Sequence, residues 1–394
     1  MDIYNKFYGK GKDFFEGKSC GDTSQEIAHQ PEMWRKLASY LNEAKPEISS
    51  FMSKLGPLEH YRILLTGAGS SGFVGRAVAG FVAQIAGIRS EAVHTTDIVS
   101  APSTYLFKDI PTLLVSFGRS GNSPESVGAV EYARQAVKNL HEIAIVCDGS
   151  SKLAGATRES DKGLLLVMPE GTNDKGFAMT SSVSCMVLAG VATLMHGEIE
   201  KIAKDINLLA GHVEKSFAEL AKTAASCAEW KYSRVWLLGS GALTALTHEG
   251  ALKIMELTNG KVVAGHNSAT EFRHGPKTVL SPSTVTVHFI SNCDFTAKYD
   301  MDLLNELCGQ KSGNKIVAIA GSNTKAEADI SIAYQDEGFE IITDAAVGIQ
   351  GLVFMQLMSM YTSIALNVPT DNPSPSGLVN RVVQGVTVYP YPLH

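Results

Sequence analysis

The sequence lacks most of the features that would assign it to a specialised class. It has 6 cysteines in 394 residues, and no two form a C-x-x-C pair. Cys20, Cys147, Cys185, Cys227, Cys293 and Cys308 lie mostly in apolar runs, which argues for small hydrophobes in a reducing compartment rather than a disulfide frame or zinc ribbon. No basic run occurs. With 34 Lys and Arg against 40 Asp and Glu the net charge is −6, which excludes a broad nucleic-acid surface. The N-terminus lacks the apolar stretch of a signal peptide. The longest apolar stretches, Val183–Met195 and Leu352–Leu366, are short or interrupted by polar residues and read as buried helices, not membrane spans. Familiar catalytic signatures are also missing. His248-Glu249 starts H-E-x-x-H, but Leu252 stands where the second His belongs. No G-x-S-x-G elbow occurs near the serine loops, and His248, His266, His274 and His288 lack metal-ligand spacing, so no metal is expected. The expectation is a soluble, cytoplasmic α/β protein.

What is present is an apolar fraction of 44% and 36 glycines, enough for a large core with many tight strand-to-helix turns. Residues 1–55 read as a polar helical start. Thr23-x-x-Glu26 has the pattern of a capping box, and Pro31 suits the first turn of a helix that places Trp34, Leu37 and Leu41 on one face. Strands then alternate with helices. Strands are expected at Arg62–Thr66, Ala92–Thr95, Thr112–Phe117, Ile143–Cys147 and Gly163–Met168; helices at Ser71–Ile85, Pro124–Asn139 and Met179–Met195. This alternation predicts parallel sheets covered on both faces.

The pattern then repeats. Val235–Leu238 restates Ile63–Thr66, and Val285–Phe289 restates Leu113–Phe117, both 172 residues later; Ile316–Ala320 restates Ile143–Cys147. The fold expected is α/β, with two tandem domains, each a mostly parallel sheet between helical layers. The segments are 1–55 (helical start), 56–200 (first domain), 201–232 (helical connector), 233–369 (second domain) and 370–394 (Pro-rich tail).

The first copy carries two hydroxyl-rich loops at strand ends. Gly67-Ala68-Gly69-Ser70-Ser71-Gly72 fits a dinucleotide fingerprint, with Glu91 near the place of a ribose-binding acid, or equally a tight turn. The next strand ends in Gly118-Arg119-Ser120-Gly121-Asn122-Ser123-Pro124, just before a helix whose free N–H groups favour an anion. Ser123 alone reads as well as a plain N-cap. The second copy is the internal control. It has Ala242 and Leu243 in place of Ser70 and Ser71, and Asn292 and Phe295 in place of Ser120 and Ser123. Strands are kept and hydroxyls lost, so the first copy is the one expected to bind phosphate. The second has its own peculiarity, Glu249, Lys253 and Glu256 on one face of a helix, whose first-copy counterpart has no acid. A carboxylate among apolar neighbours and beside one Lys can carry a proton. His274, held before Gly275-Pro276, is a second candidate.

The combination of G-x-G-S-S, S-G-x-S, E-G-A-L-K-x-x-E and H-G-P resembles the tandem sugar-isomerase (SIS) domain family, including the isomerase half of glucosamine-6-phosphate synthase. Gly118–Glu125 and Asn173–Ser182 look most like its AgaS type, described as galactosamine-6-phosphate deaminase/isomerases or tagatose-6-phosphate ketose/aldose isomerases. The resemblance implies that Ser71, Ser120, Gly121 and Ser123 belong to the sugar-phosphate loops, to which the loop sequences add Ser70 and Arg119 as candidates. It also implies that Glu256 moves a proton between C1 and C2 with Glu249 and Lys253 in support, and that His274 helps open the sugar ring from the other subunit of a dimer. No cofactor is implied; the partners are a sugar phosphate and a second copy of the chain, with no nucleic acid and no membrane. Asn173, Lys175, Arg381 and Gln384 are candidates for loop and tail closure. The chain departs from the synthase in two ways: Asp2 follows Met1 where a glutaminase would begin with Cys, and Gln384 stands near the place of the tail lysine. Deamination or plain isomerisation is therefore expected. A dinucleotide-dependent oxidoreductase and a sugar-phosphate-sensing regulator are the rival classes.

Overall fold

The computed structural model describes residues 3–391 apart from 8, 311, 323, 325, 326, 335, 336 and 384. The strands are β1 (Arg62–Thr66), β2 (Glu91–Ala92), β3 (Thr112–Gly118), β4 (Leu140–Val146), β5 (Gly163–Val167), β6 (Arg234–Gly239), β7 (Val263–Asn267), β8 (Thr284–Phe289), β9 (Lys315–Gly321) and β10 (Ile330–Tyr334). The helices used below are α1 (Gly21–Ala28), α2 (Gln30–Leu55), α3 (Ser70–Ala86), α4 (Pro124–Ala136), α5 (Ser181–Leu194), α6 (Ile199–Ala228), α7 (Thr244–Leu257), α8 (Ala269–Phe272), α9 (Asp294–Gly309) and α10 (Thr343–Ala365).

The strands form two five-stranded parallel sheets, ordered β2-β1-β3-β4-β5 and β10-β9-β8-β6-β7. Read from β7, the second order is the first over again. The register agrees too: Arg62 faces Thr112 across β1/β3, and Arg234 faces Thr284 across β6/β8, each partner 172 residues further on. The sequence repeat is thus a repeat of topology. Both sheets are covered by helices, as continuous apolar strands demand; β3 is buried along its whole length.

The chain divides into two compact units. One is Met33–Asp174, Ser181–Ile206 and Gly377–His394, holding the first sheet; the other is Met1–Glu32, Lys175–Thr180 and Asn207–Ser376, holding the second. In the first-sheet unit, Trp34, Leu37 and Leu41 of α2 are fully buried on one face, and the Trp34 indole N–H donates to Ser184 Oγ at 2.9 Å. That bond satisfies the one polar group of the buried ring and contributes about 1 kcal/mol net. A side chain at Gly190 of α5 would approach Val78 and Phe117 to 2.7 and 3.1 Å, so only glycine permits this helix packing.

Several expectations need correction. Thr23 and Glu26 form no capping box. Thr23 Oγ1 donates to Asp371 at 2.7 Å, and Glu26 accepts the backbone N–H groups of Lys175 and Gly176. Two distant backbone donors outweigh one local cap. The helix expected to reach Asn139 ends at Ala136, because β4 begins at Leu140. The strand expected over Ala92–Thr95 is Glu91–Ala92, and Thr95 opens a short helix instead. Of the cysteines, Cys20, Cys185 and Cys227 are buried and Cys308 is exposed. Among the described residues, the one unbroken helix long and apolar enough to cross a membrane is α10, and 94% of that stretch is buried.

Candidate active site

In the first-sheet unit the chain reverses its direction of travel at β1 and β3, so their C-terminal ends flank the crevice where sheets of this kind take ligands. Each end leads into a helix N-terminus. After β1, Gly69 turns with φ +55° and α3 opens on Ser70 and Ser71, which are 6% and 5% exposed. After β3, the loop Arg119–Ser123 leads into α4, with Ser123 at the N-cap and Pro124 at N1. The Ser123 hydroxyl makes no capping bond. Ser123 thus holds the expected N-cap position without using its hydroxyl as a cap, and it is half-buried at the helix start.

The loop itself is held by Asn122. Its side-chain amide donates to Ser120 O at 2.9 Å, its Oδ1 accepts Lys152 N at 3.0 Å, and its own N–H lies 3.3 Å from Ser120 Oγ. Gly121 sits at φ +59°, where a Cβ would come within 2.4 Å of Ser151 Oγ. Glycine is required there by conformation and by space.

Arg119 is buried, and its guanidinium donates to the carbonyl of Arg381 at 3.0 Å. Arg381 in turn donates to Asp174 O, through Nε at 3.1 Å, and to Asn173 Oδ1 at 3.3 Å. Arg119, Asn173 and Arg381 are thus brought together, joining the β3 loop to the tail. The buried Asp174 carboxylate accepts Ser181 N at 3.1 Å and Ser182 N at 2.9 Å, capping α5. Lys175 is not with them; its side chain is exposed and its backbone N–H goes to Glu26. Gln384 lies outside the described residues.

In the second-sheet unit α7 carries the acid–base residues. Lys253 and Glu249 are fully buried, whereas the Glu256 side chain is 24% exposed. Lys253 Nζ lies 3.1 Å from Glu249 and 2.7 Å from Glu256. Burial opposes the ammonium charge, but the two carboxylates outweigh it, and the Lys253 pKa is raised. A buried cation thus stands behind a carboxylate that is open to solvent. His274 follows α8, which is fixed by a capping box between Ser268 and Glu271. Its N–H donates to Glu271 O at 2.9 Å, its ring is exposed, and Gly275 beyond it has φ +123°.

The groups at the ends of β6 and β8 are engaged by the chain's own carboxylates. Asp300 accepts Ser240 Oγ and, at 3.1 Å, Ser291 N. Asp344 accepts Ser291 Oγ and Asn292 N, both at 2.6 Å. Burial pushes the Asp300 carboxyl up to about 6, against these two bonds, with Asp344 adding to the rise. Sequence reading missed Asp300, Asp344 and Asp174. Their partners are distant in the chain, and no local spacing announces them.

Residues 59–196 match the model of the SIS domain family. A D-galactosamine-6-phosphate deaminase AgaS of Shewanella sp. is 38% identical over 372 residues, covering 94% of this chain and 92% of that protein. The crystal structure of a Clostridium novyi protein superposes with a TM-score of 0.92 at 35% identity, covering 98% and 99% of the two chains. That of the tagatose-6-phosphate ketose/aldose isomerase from Escherichia coli gives 0.85 at 34%, covering 94% and 96%. Repeated topology, strand-end loops and near full-length likeness agree: the chain belongs to the SIS family, in its AgaS group, and is built of two tandem SIS domains.

Proposed function

We propose that the chain is an amino-sugar-phosphate deaminase/isomerase that converts galactosamine 6-phosphate and water to tagatose 6-phosphate and ammonia. The observation that carries the reading is the α7 triad, a solvent-reaching Glu256 backed by the buried Lys253–Glu249 pair. The AgaS relatives supply the substrate class.

Ser70, Ser71, Ser120, Gly121 and Ser123 grip the phosphate through hydroxyls and helix N-termini, which suits an anion site on an acidic chain. Arg119 acts at this loop. His274 assists pyranose opening. Glu256 removes the C2 proton, giving an enolamine, and returns a proton to C1. The C2 carbon is then an imine; water adds to it, the C–N bond breaks, and ammonia leaves a C2 ketone. Lys253 donates to Glu256 and holds its carboxylate in place, and Glu249 balances the charge of Lys253. The division of labour follows the domains, phosphate binding in 56–200 and proton transfer in 233–369. The working form is a cytoplasmic homodimer in which His274 serves the neighbouring subunit's sugar, and the tail residues Asn173, Lys175, Arg381 and Gln384 take part in closure.

A second reading, aldose–ketose isomerisation of tagatose 6-phosphate without deamination, uses the same residues and is favoured by the name of the E. coli structure. Ammonia release from galactosamine 6-phosphate, compared with glucosamine 6-phosphate and with isomerisation of tagatose 6-phosphate, separates the two. Glu256→Gln is expected to abolish turnover while sugar-phosphate binding survives. Full activity in that variant refutes the assignment of Glu256.

A further inference from the structure

His274 lies in a loop with a cation on either side, in the sequence Arg273-His274-Gly275-Pro276-Lys277. Both cations reach one acceptor on α9. Arg273 Nε donates to Glu306 Oε2 at 2.7 Å, and Lys277 Nζ donates to Glu306 Oε1. Arg273 also donates to Asp302 Oδ2 at 2.9 Å, and the Gln310 amide donates to Glu306 Oε1 at 3.2 Å. Hydrogen bonds from Lys277 and Arg273 hold the Glu306 carboxyl below the usual carboxylate range.

The arrangement does something specific. Each oxygen of a single carboxylate takes one end of the loop. Between these ends Gly275 has a positive φ, and His274 is exposed; among the described residues its backbone N–H is bonded to Glu271 O and its ring to none. The backbone around His274 is fixed while its imidazole is left uncommitted. Network members are partly exposed, at 24% to 30% for Lys277, Arg273 and Glu306, so the ion pairs contribute little to global stability. Three charged residues converging on a five-residue loop are better explained by a need to place that loop accurately. We infer that Glu306 is a positioning residue for His274, acting through Arg273 and Lys277 as a two-ended clamp. This rests on the ring-opening role proposed for His274 and extends it to a residue on another element.

The test is a pair of double-mutant cycles read as kcat and KM for ammonia release from galactosamine 6-phosphate, with thermal denaturation run alongside. In otherwise unaltered protein, Glu306→Gln is expected to lower kcat about tenfold or more and leave KM nearly unchanged, because misplacement of a reacting group affects the chemical step. In a His274→Ala background the same substitution is expected to change kcat by less than about twofold, since the residue it positions is gone. Likewise it adds nothing once Arg273→Gln and Lys277→Gln have removed the other ends of the clamp. Equal losses in every background, or no loss in the parent, overturn the inference; Glu306→Ala serves if Gln preserves the clamp. If His274→Ala alone is fully active, the ring-opening role itself fails, and that result is distinct from a failure of the clamp.

Discussion

Replacing Lys253 by Met removes a charge and almost no volume from the centre of α7. The ammonium is fully buried, 3.1 Å from the fully buried Glu249 and 2.7 Å from the partly exposed Glu256. Glu256 can turn to water when its partner is lost, but Glu249 cannot. Breaking a buried ion pair from one side costs about 3–5 kcal/mol, because a charge is left without compensation. Most of that cost should fall on Glu249. Replacing both partners with apolar groups of similar size is close to neutral, so Lys253→Met with Glu249→Leu should recover to within about 1–2 kcal/mol of the parent. Urea denaturation at pH 7, read as a midpoint shift at constant slope, measures both. The pH course is a further check. A lysine whose pKa is raised on folding contributes stability that is complete below the unfolded value and lost only as pH rises through the folded one. The penalty in the single variant should therefore be constant from pH 6 to 9 and shrink only in strong alkali. A single variant within about 1 kcal/mol of the parent, or a double variant as damaged as the single, refutes the reading of Lys253 as the internal counterion of Glu249.

Ser123→Ala separates a cap from a ligand. Since the hydroxyl makes no capping bond, stability should fall by less than about 0.5 kcal/mol rather than the usual ~1 for a lost N-cap. Losing one hydrogen bond to a charged phosphate should raise KM roughly tenfold or more. A stability loss of a full cap with unchanged KM contradicts the phosphate role. Asp300→Asn tests the second crevice. A carboxyl raised to about 6 by burial costs stability above that pH and is relieved as pH falls toward its unfolded value. The stability of the variant relative to the parent should therefore be greater at pH 8 than at pH 4, by up to about 3 kcal/mol, as shown by denaturation at both. A difference independent of pH removes the buried-charge account.

The parts of this molecule that could be read from sequence are those where one local rule decides. The period of α7 puts Glu249, Lys253 and Glu256 on one face whatever surrounds them, and the β1 and β3 runs are too apolar to be anything but central strands. The repeat made the loops legible by contrast. Where two rules competed, the local one lost: Thr23 and Glu26 have the spacing of a cap, yet each bonds to a residue far along the chain. Edge strands β7 and β10 escaped notice because a strand paired on one side needs no continuous apolar run; Val263 is 57% exposed. Arg119 meeting Arg381, and Glu306 meeting both flanks of His274, are products of tertiary folding alone. Acidic and basic residues on separate elements carry no spacing that could pair them in advance.

The carboxylates of Asp300 and Asp344 bear on how a duplicated fold comes to do one job. The second copy has not simply eroded. Its strand ends still present N–H and hydroxyl donors, and each has found an anion that belongs to the polypeptide. A pocket emptied of function but left open would invite any small oxyanion in the cell and would leave buried donors wet or unpaired. Covalently tethered acids close that opening at the local concentration of the chain itself, which no solute can match. In this copy the strand-end donors are thus occupied from within, by two side chains that cannot diffuse away.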